Sequence, residues 1–275
     1  MWLALIPWFK LEPLSVPVPF VGTIALQPFG LMAAIAILVG SRCAEWRAHQ
    51  LGISSELMAS FLSWTTALGL VSAYVLNIVM YSPELLARIA ADPSLLVRHW
   101  YGLSSFGGFI GGTCTAIVFA YRRGGFLRAL GDAWCYAFPF AWVFARLGCF
   151  AVHDHPGVAS DFFLAVDDYN DLGVARHDLG LYEVLWSLAV SALFWWRSRR
   201  PAPAGLYLAL IPLLYGPVRF ALDFLRADAI EGGDLRYYDL TPAQYLSLAL
   251  TLVGCVLCLR SRTRPDGSGS APHAA

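Results

Sequence analysis

The chain has 275 residues, of which 58% are hydrophobic and only 14% are charged, and its formal net charge is zero. Soluble domains carry about 25% charged residues, so this composition excludes an ordinary soluble globular protein. The balanced total charge gives no indication of a nucleic-acid partner.

Proline residues mark the first segment of the chain. Pro7, Pro13 and Pro17 interrupt an otherwise apolar stretch over residues 1–18. Because an interior proline removes a helical hydrogen bond and clashes with the preceding turn, we predict an extended or interfacial arm outside the membrane, and not a cleaved signal peptide.

Seven apolar stretches follow this arm. A bilayer core about 30 Å thick requires roughly 20 mostly apolar residues per helix. Such stretches occupy residues 19–39, 57–80, 104–121, 133–152, 179–196, 205–225 and 242–259. The predicted fold class is an all-α polytopic membrane protein with about seven transmembrane helices. Residues 19–259 then form the membrane domain, and residues 260–275 form a disordered cytoplasmic tail.

Basic residues are distributed unevenly between the connecting loops. If the amino terminus lies outside, the inner loops hold more than half of the 19 Lys and Arg residues: Arg42, Arg47, Arg122, Arg123, Arg128, Arg197, Arg199, Arg200, Arg260, Arg262 and Arg264. Cytoplasmic loops show this excess, so we predict an outer amino terminus and a cytoplasmic carboxyl terminus. Aspartates are frequent at 153–178, and we predict that this connection forms a small extracytoplasmic cap between the fourth and fifth helices.

The cysteines lie mostly within apolar stretches. Cys255 and Cys258 form a CxxC pair, but the sequence has no second pair. A structural zinc site needs four ligands, so we expect neither a metal site nor a disulfide framework.

Arg146 lies within the fourth apolar stretch, about two turns before its outer end. A charged side chain at the centre of a membrane helix costs about 2.5 to 3.5 kcal/mol on insertion scales. The guanidinium either reaches the headgroup level, as long cationic side chains do, or belongs to a polar pocket. Gly148 and the polar cluster at 153–155 favour the pocket.

The sixth stretch holds Arg219, Asp223 and Arg226 at i, i+4 and i+7. This spacing predicts that all three lie on one helical face, with Asp223 between the arginines. A functional site and a structural ion pair between helices are both open. Glu183, at the entrance of the fifth stretch, needs a cationic partner, and Arg146 or Arg219 is available.

Glycines in the third stretch form two interleaved small-xxx-small pairs, Gly107 with Gly111 and Gly108 with Gly112. Such pairs let membrane helices approach closely. We favour this packing role over a phosphate cradle, because a helix satisfies most of its own N–H groups.

Several segments, taken together and in order, resemble prolipoprotein diacylglyceryl transferases. They are LQPFGLM at 26–32, YVL at 74–76, SSFGGFIGG at 104–112, RLGCF at 146–150, RHDLGLYE at 176–183, RFALDFLR at 219–226 and LTPAQYLSL at 240–248. The resemblance covers most of the chain.

This resemblance implies a bacterial enzyme of the cell inner membrane that acts in lipoprotein biosynthesis. Such an enzyme transfers a diacylglyceryl group from phosphatidylglycerol to the lipobox cysteine of a prolipoprotein and releases glycerol phosphate. The implied partners are phosphatidylglycerol, the prolipoprotein signal peptide and the bilayer, with no nucleic acid and no cofactor. Arginine suits this chemistry, since guanidinium groups form charge-assisted contacts with phosphate.

By their places in these segments, four residues are implied to be catalytic: Arg146, Arg219, Asp223 and Glu183. A second set is implied to bind substrate: Arg226, His177, Tyr182, Asp154, Gly107, Gly108 and Gln244.

The chain departs from the family pattern at several positions. Phe106 replaces a histidine, Phe29 a tyrosine, Cys149 an asparagine, Asp154 a glutamate and Val71 an arginine. Phenylalanine accepts no proton, so a mechanism that uses this histidine as its base is excluded unless His153, His155 or His177 takes over. The alternative is a homologue that keeps the fold and the lipid pocket while its reaction has changed or been lost.

Two other classes of protein are compatible with parts of the sequence. DDYND at 167–171 fits an acidic motif that holds Mg²⁺ in a membrane prenyltransferase, but a second acidic motif is missing from the sequence. Paired intramembrane charges also mark transporters, but the halves show no inverted repeat.

Overall fold

The computed structural model describes residues 6–18, 22–81, 84–98, 102–167, 169, 173–228 and 236–263. Its helices, in chain order, are α1 (Pro28–Gln50), α2 (Ser55–Tyr81), α3 (Glu84–Ala91), α4 (Leu95–Arg98), α5 (Ser105–Arg122), α6 (Leu127–Val152), α7 (Leu179–Ser198), α8 (Leu206–Leu222) and α9 (Pro242–Thr263). The short strands are β1 (Ile6–Pro7), β2 (Leu14–Val18), β3 (Gly22–Leu26), β4 (Pro156–Ala159), β5 (Val166–Asp167) and β6 (Arg176–Asp178).

Six of the helices in this part of the chain, all except α3, α4 and α5, are long and apolar enough to cross a bilayer. The predicted class of an all-α polytopic membrane protein is thus confirmed. The third predicted stretch forms α5, a helix of 18 residues, but it is not among these six. The number seven stays a prediction.

The first helix begins later than the sequence analysis predicted. Instead of starting near residue 19, the chain forms a hairpin in which β2 pairs antiparallel with β3, and α1 starts at Pro28. Proline is suited to the first helical turn, where its missing N–H leaves no hydrogen bond unmade. The pattern of apolar residues could not separate these strands from the helix, because both are apolar.

The long helices pack mainly in pairs. α1 packs against α6, α2 against α5, and α8 against α9, while α6 also contacts α7 and α8. α6 therefore lies at the centre of the bundle, and its carboxyl-terminal end, around Arg146, faces both α7 and α8.

Glycine allows the close approach of α5 to α2. A Cβ atom at Gly107 would lie 2.7 Å from the carbonyl oxygen of Ser72 and 2.9 Å from Cα of Ala73, both backbone atoms. A Cβ atom at Gly111 would overlap the Ser72 side chain. The packing role predicted for these glycines is confirmed for Gly107 and Gly111.

The connection 153–178 forms a small sheet where α6 ends and α7 begins, and it is referred to below as the cap. β1 pairs parallel with β5, β5 antiparallel with β6, and β6 antiparallel with β4. The sequence predicted a cap here but no fold for it, since strands of two to four residues are too short to show a period. Through β1, the amino-terminal arm becomes part of the cap.

A buried histidine–aspartate pair joins the two ends of the cap, where α6 ends and α7 begins. Nδ1 of His153 lies 2.6 Å from Oδ2 of Asp178, and both side chains are inaccessible to solvent. The second oxygen of Asp178 accepts the backbone N–H of Leu181 and so caps α7. Trp8 of the arm packs on the His153 ring, with 4.5 Å between ring centroids. His153 thus has a structural role.

A second buried ion pair joins the other ends of α1 and α6. Nε and Nη2 of Arg47 donate to Oδ2 of Asp132 at 2.9 and 2.8 Å. Nη2 also donates to the carbonyl of Ala202, and the remaining oxygen of Asp132 accepts the N–H of Tyr207 in α8. The predicted spans placed both charges outside the membrane helices, whereas in the structure α1 continues to Gln50 and α6 starts at Leu127, so both charges lie within helices.

The predicted ends of the chain are only partly described. α9 continues to Thr263, beyond the predicted boundary at residue 259. Residues 264–275 of the predicted tail and residues 1–5 of the predicted arm lie outside the described residues.

Candidate active site

Glu183 lies at the centre of a buried polar cluster near the cap. Its carboxylate accepts hydrogen bonds from Nε1 of Trp142 at 3.0 Å and from the hydroxyl of Tyr215 at 2.9 Å. Nε of Arg146 lies 3.0 Å from one carboxylate oxygen, and Nε of Arg219 lies 3.8 Å from the other. The structure therefore confirms a cationic partner for Glu183, and it supplies both arginines at once.

Asp223 pairs with Arg219, as the i, i+4 spacing predicted. Oδ1 of Asp223 lies 2.5 Å from Nη1 of Arg219, and its other oxygen accepts the hydroxyl of Thr241, which precedes α9. Both carboxylate oxygens are thus in contact with protein groups. Asp223 thus contacts Nη1 of the Arg219 guanidinium, whereas Glu183 lies near its Nε.

The predicted single helical face does not extend to Arg226. α8 ends at Leu222, a 3-10 turn covers Asp223–Leu225, and Arg226 has an extended backbone. The cap causes this change, because Gly157 forms a β-bridge with Arg226 and Ala227 donates its N–H to the carbonyl of Pro156. Arg226 still lines the same cavity as Arg219.

Arg146 also contacts the first residues of the cap. Its Nη1 lies 2.9 Å from Nε2 of His155 and 3.6 Å from Sγ of Cys149. Since a guanidinium only donates, Nε2 of His155 is the acceptor, and Nδ1–H donates to the carboxylate of Asp154. Asp154, His155 and Arg146 therefore form a continuous chain of hydrogen bonds.

The charges of this chain follow from its surroundings. Burial lowers the pKa of His155 below its usual 6.5, and the charge of Arg146 adds to this effect, although Asp154 opposes it. Burial alone would raise the pKa of Asp154, but the hydrogen bond with His155 and the nearby positive charges lower it overall. At neutral pH the imidazole is neutral and Asp154 is a carboxylate.

Three potential metal-ligand atoms come together here. A sulfur of Cys149, a carboxylate oxygen of Asp154 and a ring nitrogen of His155 lie within 4.8 Å of one another. However, the Arg146 guanidinium already contacts both the sulfur and the imidazole. A second cation at this place would meet strong like-charge repulsion, so this donor set is poorly suited to a metal ion.

A cavity of about 180 Å³ opens beside the cluster. His155, Tyr215, Arg219 and Arg226 line its polar part. Its apolar part is formed by side chains of α9 and of the start of α5, including Leu246, Leu250, Leu103 and Phe109. The cavity thus combines a cationic region with an apolar one, which is the arrangement that an anionic lipid requires.

Three buried arginines lie around the cavity. Arg146, Arg219 and Arg226 are each at most 7% exposed, and Arg219 and Arg226 belong to the lining of the cavity. Guanidinium groups form charge-assisted hydrogen bonds with phosphate and carboxylate groups. The cationic lining is therefore suited to contact with an anion.

Four other predicted site residues, His177, Tyr182, Gly107 and Gly108, are not among the residues that line the cavity. His177 and Tyr182 bond to each other, with 2.5 Å between Nδ1 and the hydroxyl. Gly107 and Gly108 lie against α2 and not among the residues that line the cavity. Their substrate-binding roles stay predictions.

Both the oxygen and the nitrogen of the Gln244 side-chain amide form hydrogen bonds with the backbone. Its Oε1 accepts the N–H of Thr241, and Thr241 Oγ1 accepts the N–H of Gln244, which is a reciprocal capping box at the start of α9. Its Nε2 donates to the carbonyl of Phe220 in α8. The spacing in LTPAQ is the sequence signal for this cap, and a substrate-binding role for Gln244 stays a prediction.

Sequence reasoning missed Trp142 and Tyr215, which both bind Glu183. Each lies four residues before an arginine of the cluster, Arg146 and Arg219 respectively. This i, i+4 spacing places them on the same helical face as the arginine and could have indicated them. Of the acidic motif at 167–171, Asp168, Asn170 and Asp171 lie outside the described residues.

The fold and the site define a polytopic membrane protein with a buried arginine cluster beside a partly apolar cavity. The sequence profile of the family described as prolipoprotein diacylglyceryl transferase matches residues 17–260, and the chain belongs to this family.

Individual relatives agree with this assignment. The chain is 33% identical over 251 residues to a protein of Chromohalobacter salexigens named phosphatidylglycerol–prolipoprotein diacylglyceryl transferase, covering 88% of this chain and 92% of that protein. A protein of the same name from Azotobacter vinelandii is 30% identical, and the match covers 91% of this chain and 94% of that protein. Another, from Methylobacillus flagellatus, is also 30% identical, and the match covers 88% of this chain and 95% of that protein.

Proposed function

We propose that this protein transfers a diacylglyceryl group from phosphatidylglycerol to the cysteine thiol of a prolipoprotein. The observation that carries the proposal is the convergence of Arg146 and Arg219 on Glu183 beside a cavity with cationic and apolar regions. The names of the relatives and the family support it.

The arginines stabilise the leaving phosphate. When sulfur displaces the phosphate ester from the glyceryl carbon, negative charge grows on the departing oxygen. Arg219 and Arg226 line the cavity, and Arg146 lies behind them, bound to His155. Guanidinium groups held in place by Glu183 and Asp223 need little reorganisation as this charge develops, which is the most effective form of electrostatic catalysis.

The apolar wall of the cavity accommodates the acyl chains. Leu246 and Leu250 lie on the same face of α9, one turn apart, and Leu103 and Phe109 approach from the region of α5. A phospholipid with its phosphate near Arg219 extends its chains along this wall into the bilayer. The signal peptide of the prolipoprotein brings its cysteine from the same membrane.

The proposed location is the inner membrane of a bacterium, with the amino terminus and the cap outside and the carboxyl terminus in the cytoplasm. Support comes from the basic residues in the predicted inner loops and the aspartates of the cap. In this orientation the site lies near the outer leaflet, where secreted prolipoproteins emerge.

Arginine substitutions test the proposal. Arg146→Ala and Arg219→Ala should each lower transfer of a radiolabelled diacylglyceryl group to a lipobox peptide by about 100-fold or more, as removal of one oxyanion-stabilising donor does. Arg42→Ala is the matched control, because the Arg42 side chain is 85% exposed and pairs with Glu45 of the same helix. It should retain the activity of the unchanged protein.

The same assay decides against the proposal in two ways. Full activity of both arginine variants, at unchanged thermal unfolding temperature, excludes the arginine cluster as the site. Absence of transfer by the unchanged protein, together with retained binding of phosphatidylglycerol, identifies a homologue that binds lipid without transferring it. The replacement of a histidine by Phe106 is the feature of the sequence that favours this second function.

A further inference from the structure

The proposed transfer needs a group that removes the proton of the acceptor thiol. A thiol has an ordinary pKa of about 8.5, so only a few per cent is thiolate near neutral pH. Phe106 contributes no proton acceptor. The base must therefore come from another side chain that reaches the cavity.

Among the described residues that line the cavity, one side chain is a candidate for this base. The titratable side chains of the lining are His155, Tyr215, Arg219 and Arg226. Arginine does not lose its proton in proteins, and the Tyr215 hydroxyl donates a hydrogen bond to Glu183. His155 is the group that remains.

The other two histidines of this region are engaged elsewhere. Nδ1 of His153 is bound to Asp178, and the His153 ring packs against Trp8 of the arm. His177 is bound to Tyr182 and packs near Phe162 of the cap. Neither belongs to the lining of the cavity.

The surroundings of His155 are those of an oriented base. Asp154 accepts Nδ1–H and thereby keeps the lone pair on Nε2, the nitrogen 2.9 Å from Nη1 of Arg146. A carboxylate in this position also stabilises the imidazolium that forms when Nε2 takes a proton. Asp154 is thus a positioning residue for His155.

We infer that His155 is the catalytic base that takes the proton from the acceptor cysteine, an assignment that rests on the proposed transferase function. The S–H bond breaks and its proton goes to Nε2 of His155. The sulfur electron pair forms the S–C bond with the glyceryl carbon, and the electron pair of the breaking C–O bond leaves on the phosphate of glycerol phosphate. The products balance without any further reactant.

Binding of the lipid makes Nε2 available. In the structure Arg146 donates one N–H to this nitrogen. When a phosphate binds the arginines, Arg146 turns this N–H toward a phosphate oxygen, a stronger acceptor than a neutral imidazole. The thiol then takes the place of the guanidinium at Nε2, so phosphate binding precedes deprotonation.

Charges on several elements act on His155. Among the described residues, the positive charges near it are Arg146 of α6, Arg219 of α8 and Arg226 after the 3-10 turn. The negative charges near it are the neighbouring residue Asp154 and Glu183 of α7. Burial and the positive charges of Arg146 and Arg226 lower the pKa of His155 from 6.5. With its pKa lowered, His155 is unprotonated and able to act as a base throughout the neutral pH range. It loses this function only as the pH falls below its lowered pKa.

The test is the pH dependence of transfer from phosphatidylglycerol vesicles to a peptide with a single cysteine. His155→Gln should lower the rate by about 100-fold near neutral pH, in the range that loss of a general base produces. The rate of this variant should then rise about tenfold per pH unit up to about pH 8.5, where the thiol ionises without a base. The unchanged protein should keep a nearly constant rate above about pH 6.5 and lose activity below it.

Two variants serve as comparisons. His49→Gln should leave the pH profile unchanged, because His49 is an exposed residue at the end of α1 that contacts Ser55. Asp154→Asn should lower the rate less than His155→Gln does, and it should shift the acid limb of the profile, since the carboxylate that favours imidazolium is lost. A residue that only supports the fold would not move this limb.

The outcomes separate the inference from the function on which it rests. If the unchanged protein transfers the lipid and His155→Gln does so at the same rate, the assignment of His155 is wrong and the transferase function stands. A loss that is equal at every pH, with a lowered unfolding temperature, also overturns the assignment, because it indicates a structural role. If the unchanged protein transfers nothing, the function and the inference fail together.

Discussion

At the scale of single residues, one carboxylate organises the candidate site. Glu183 is 1% exposed and binds two guanidinium groups, one indole and one phenol. Without it, Arg146 and Arg219 would be buried near each other with no shared anion. Its position therefore controls both the stability of the cluster and the direction in which the guanidinium groups point.

Neutralising this carboxylate should weaken the protein. Glu183→Gln keeps an acceptor for Trp142 and Tyr215 but removes the charge between the arginines, and breaking a buried ion pair costs about 3–5 kcal/mol. We expect a clearly lower thermal unfolding temperature in detergent and loss of transfer. Glu45→Gln is the control, because Glu45 pairs with the exposed Arg42 at 3.6 Å, and such surface pairs contribute little. An unchanged unfolding temperature of Glu183→Gln would contradict the central role of this residue.

At the scale of elements, the packing of α2 against α5 sets one wall of the cavity. Asn77 of α2 and Ser105 and Phe109 of α5 belong to its lining. The two helices meet at Gly107 and Gly111, where no room exists for a side chain. Any change that separates these helices alters the width of the cavity as well as the stability of the bundle.

Two neighbouring glycines provide a matched test of this packing. A Cβ atom at Gly107 would lie 2.7 Å from a backbone oxygen of α2, whereas one at Gly108 would lie 3.7 Å from the Cβ of Ala73, an ordinary contact. Alanine gains about 1 kcal/mol of helix propensity over glycine at either position. Gly107→Ala should nevertheless destabilise the protein, since overpacking costs about 1–3 kcal/mol and more where backbone must move. Gly108→Ala should not.

Thermal unfolding of both variants in the same detergent measures the difference. Equal unfolding temperatures for Gly107→Ala and Gly108→Ala would show that α2 and α5 do not meet as closely as described.

These elements also show how far the sequence predicts the structure. The ends of α2 and α7 agree with the predicted spans to within two residues, and the pairing of Glu183 with the arginines was predicted from the cost of buried charge. The departure of Arg226 from the helix was not predictable, because it depends on β-pairing with Gly157, about 70 residues earlier in the chain. Long-range contacts of this kind leave no periodic signal in the local sequence.

At the scale of the whole molecule, two buried polar layers hold the bundle together. One is the arginine cluster near the cap, and the other is the Arg47–Asp132 pair, which links α1, α6, the connection at 202–203 and the start of α8. The Arg47 guanidinium also lies 5.0 Å from the centre of the Tyr207 ring. Each nitrogen of the Arg47 guanidinium and each carboxylate oxygen of Asp132 contacts protein atoms, so this second layer has a structural purpose.

Arg47→Ala should therefore separate stability from catalysis. It leaves Asp132 buried without its cation, at a cost of about 3–5 kcal/mol, so the unfolding temperature should fall. Below that temperature the rate of transfer should remain near that of the unchanged protein, because the cavity lies at the other end of α6. Arg42→Ala, in the same helix but exposed, should change neither quantity. Loss of activity by Arg47→Ala while it is still folded would indicate coupling between the two ends.

The parallel pairing of β1 with β5 has a consequence for biogenesis. It joins Ile6 to Val166, so the ribosome must synthesise α1, α2, α5 and α6 before the two strands can meet. Closing so long a loop is entropically slow. Trp8 reaches His153 by the same closure, and His155 lies two residues further on. A nascent chain therefore contains Arg146 before it can assemble the neighbourhood of His155, because that neighbourhood forms only once residues 6–8 contact the middle of the chain.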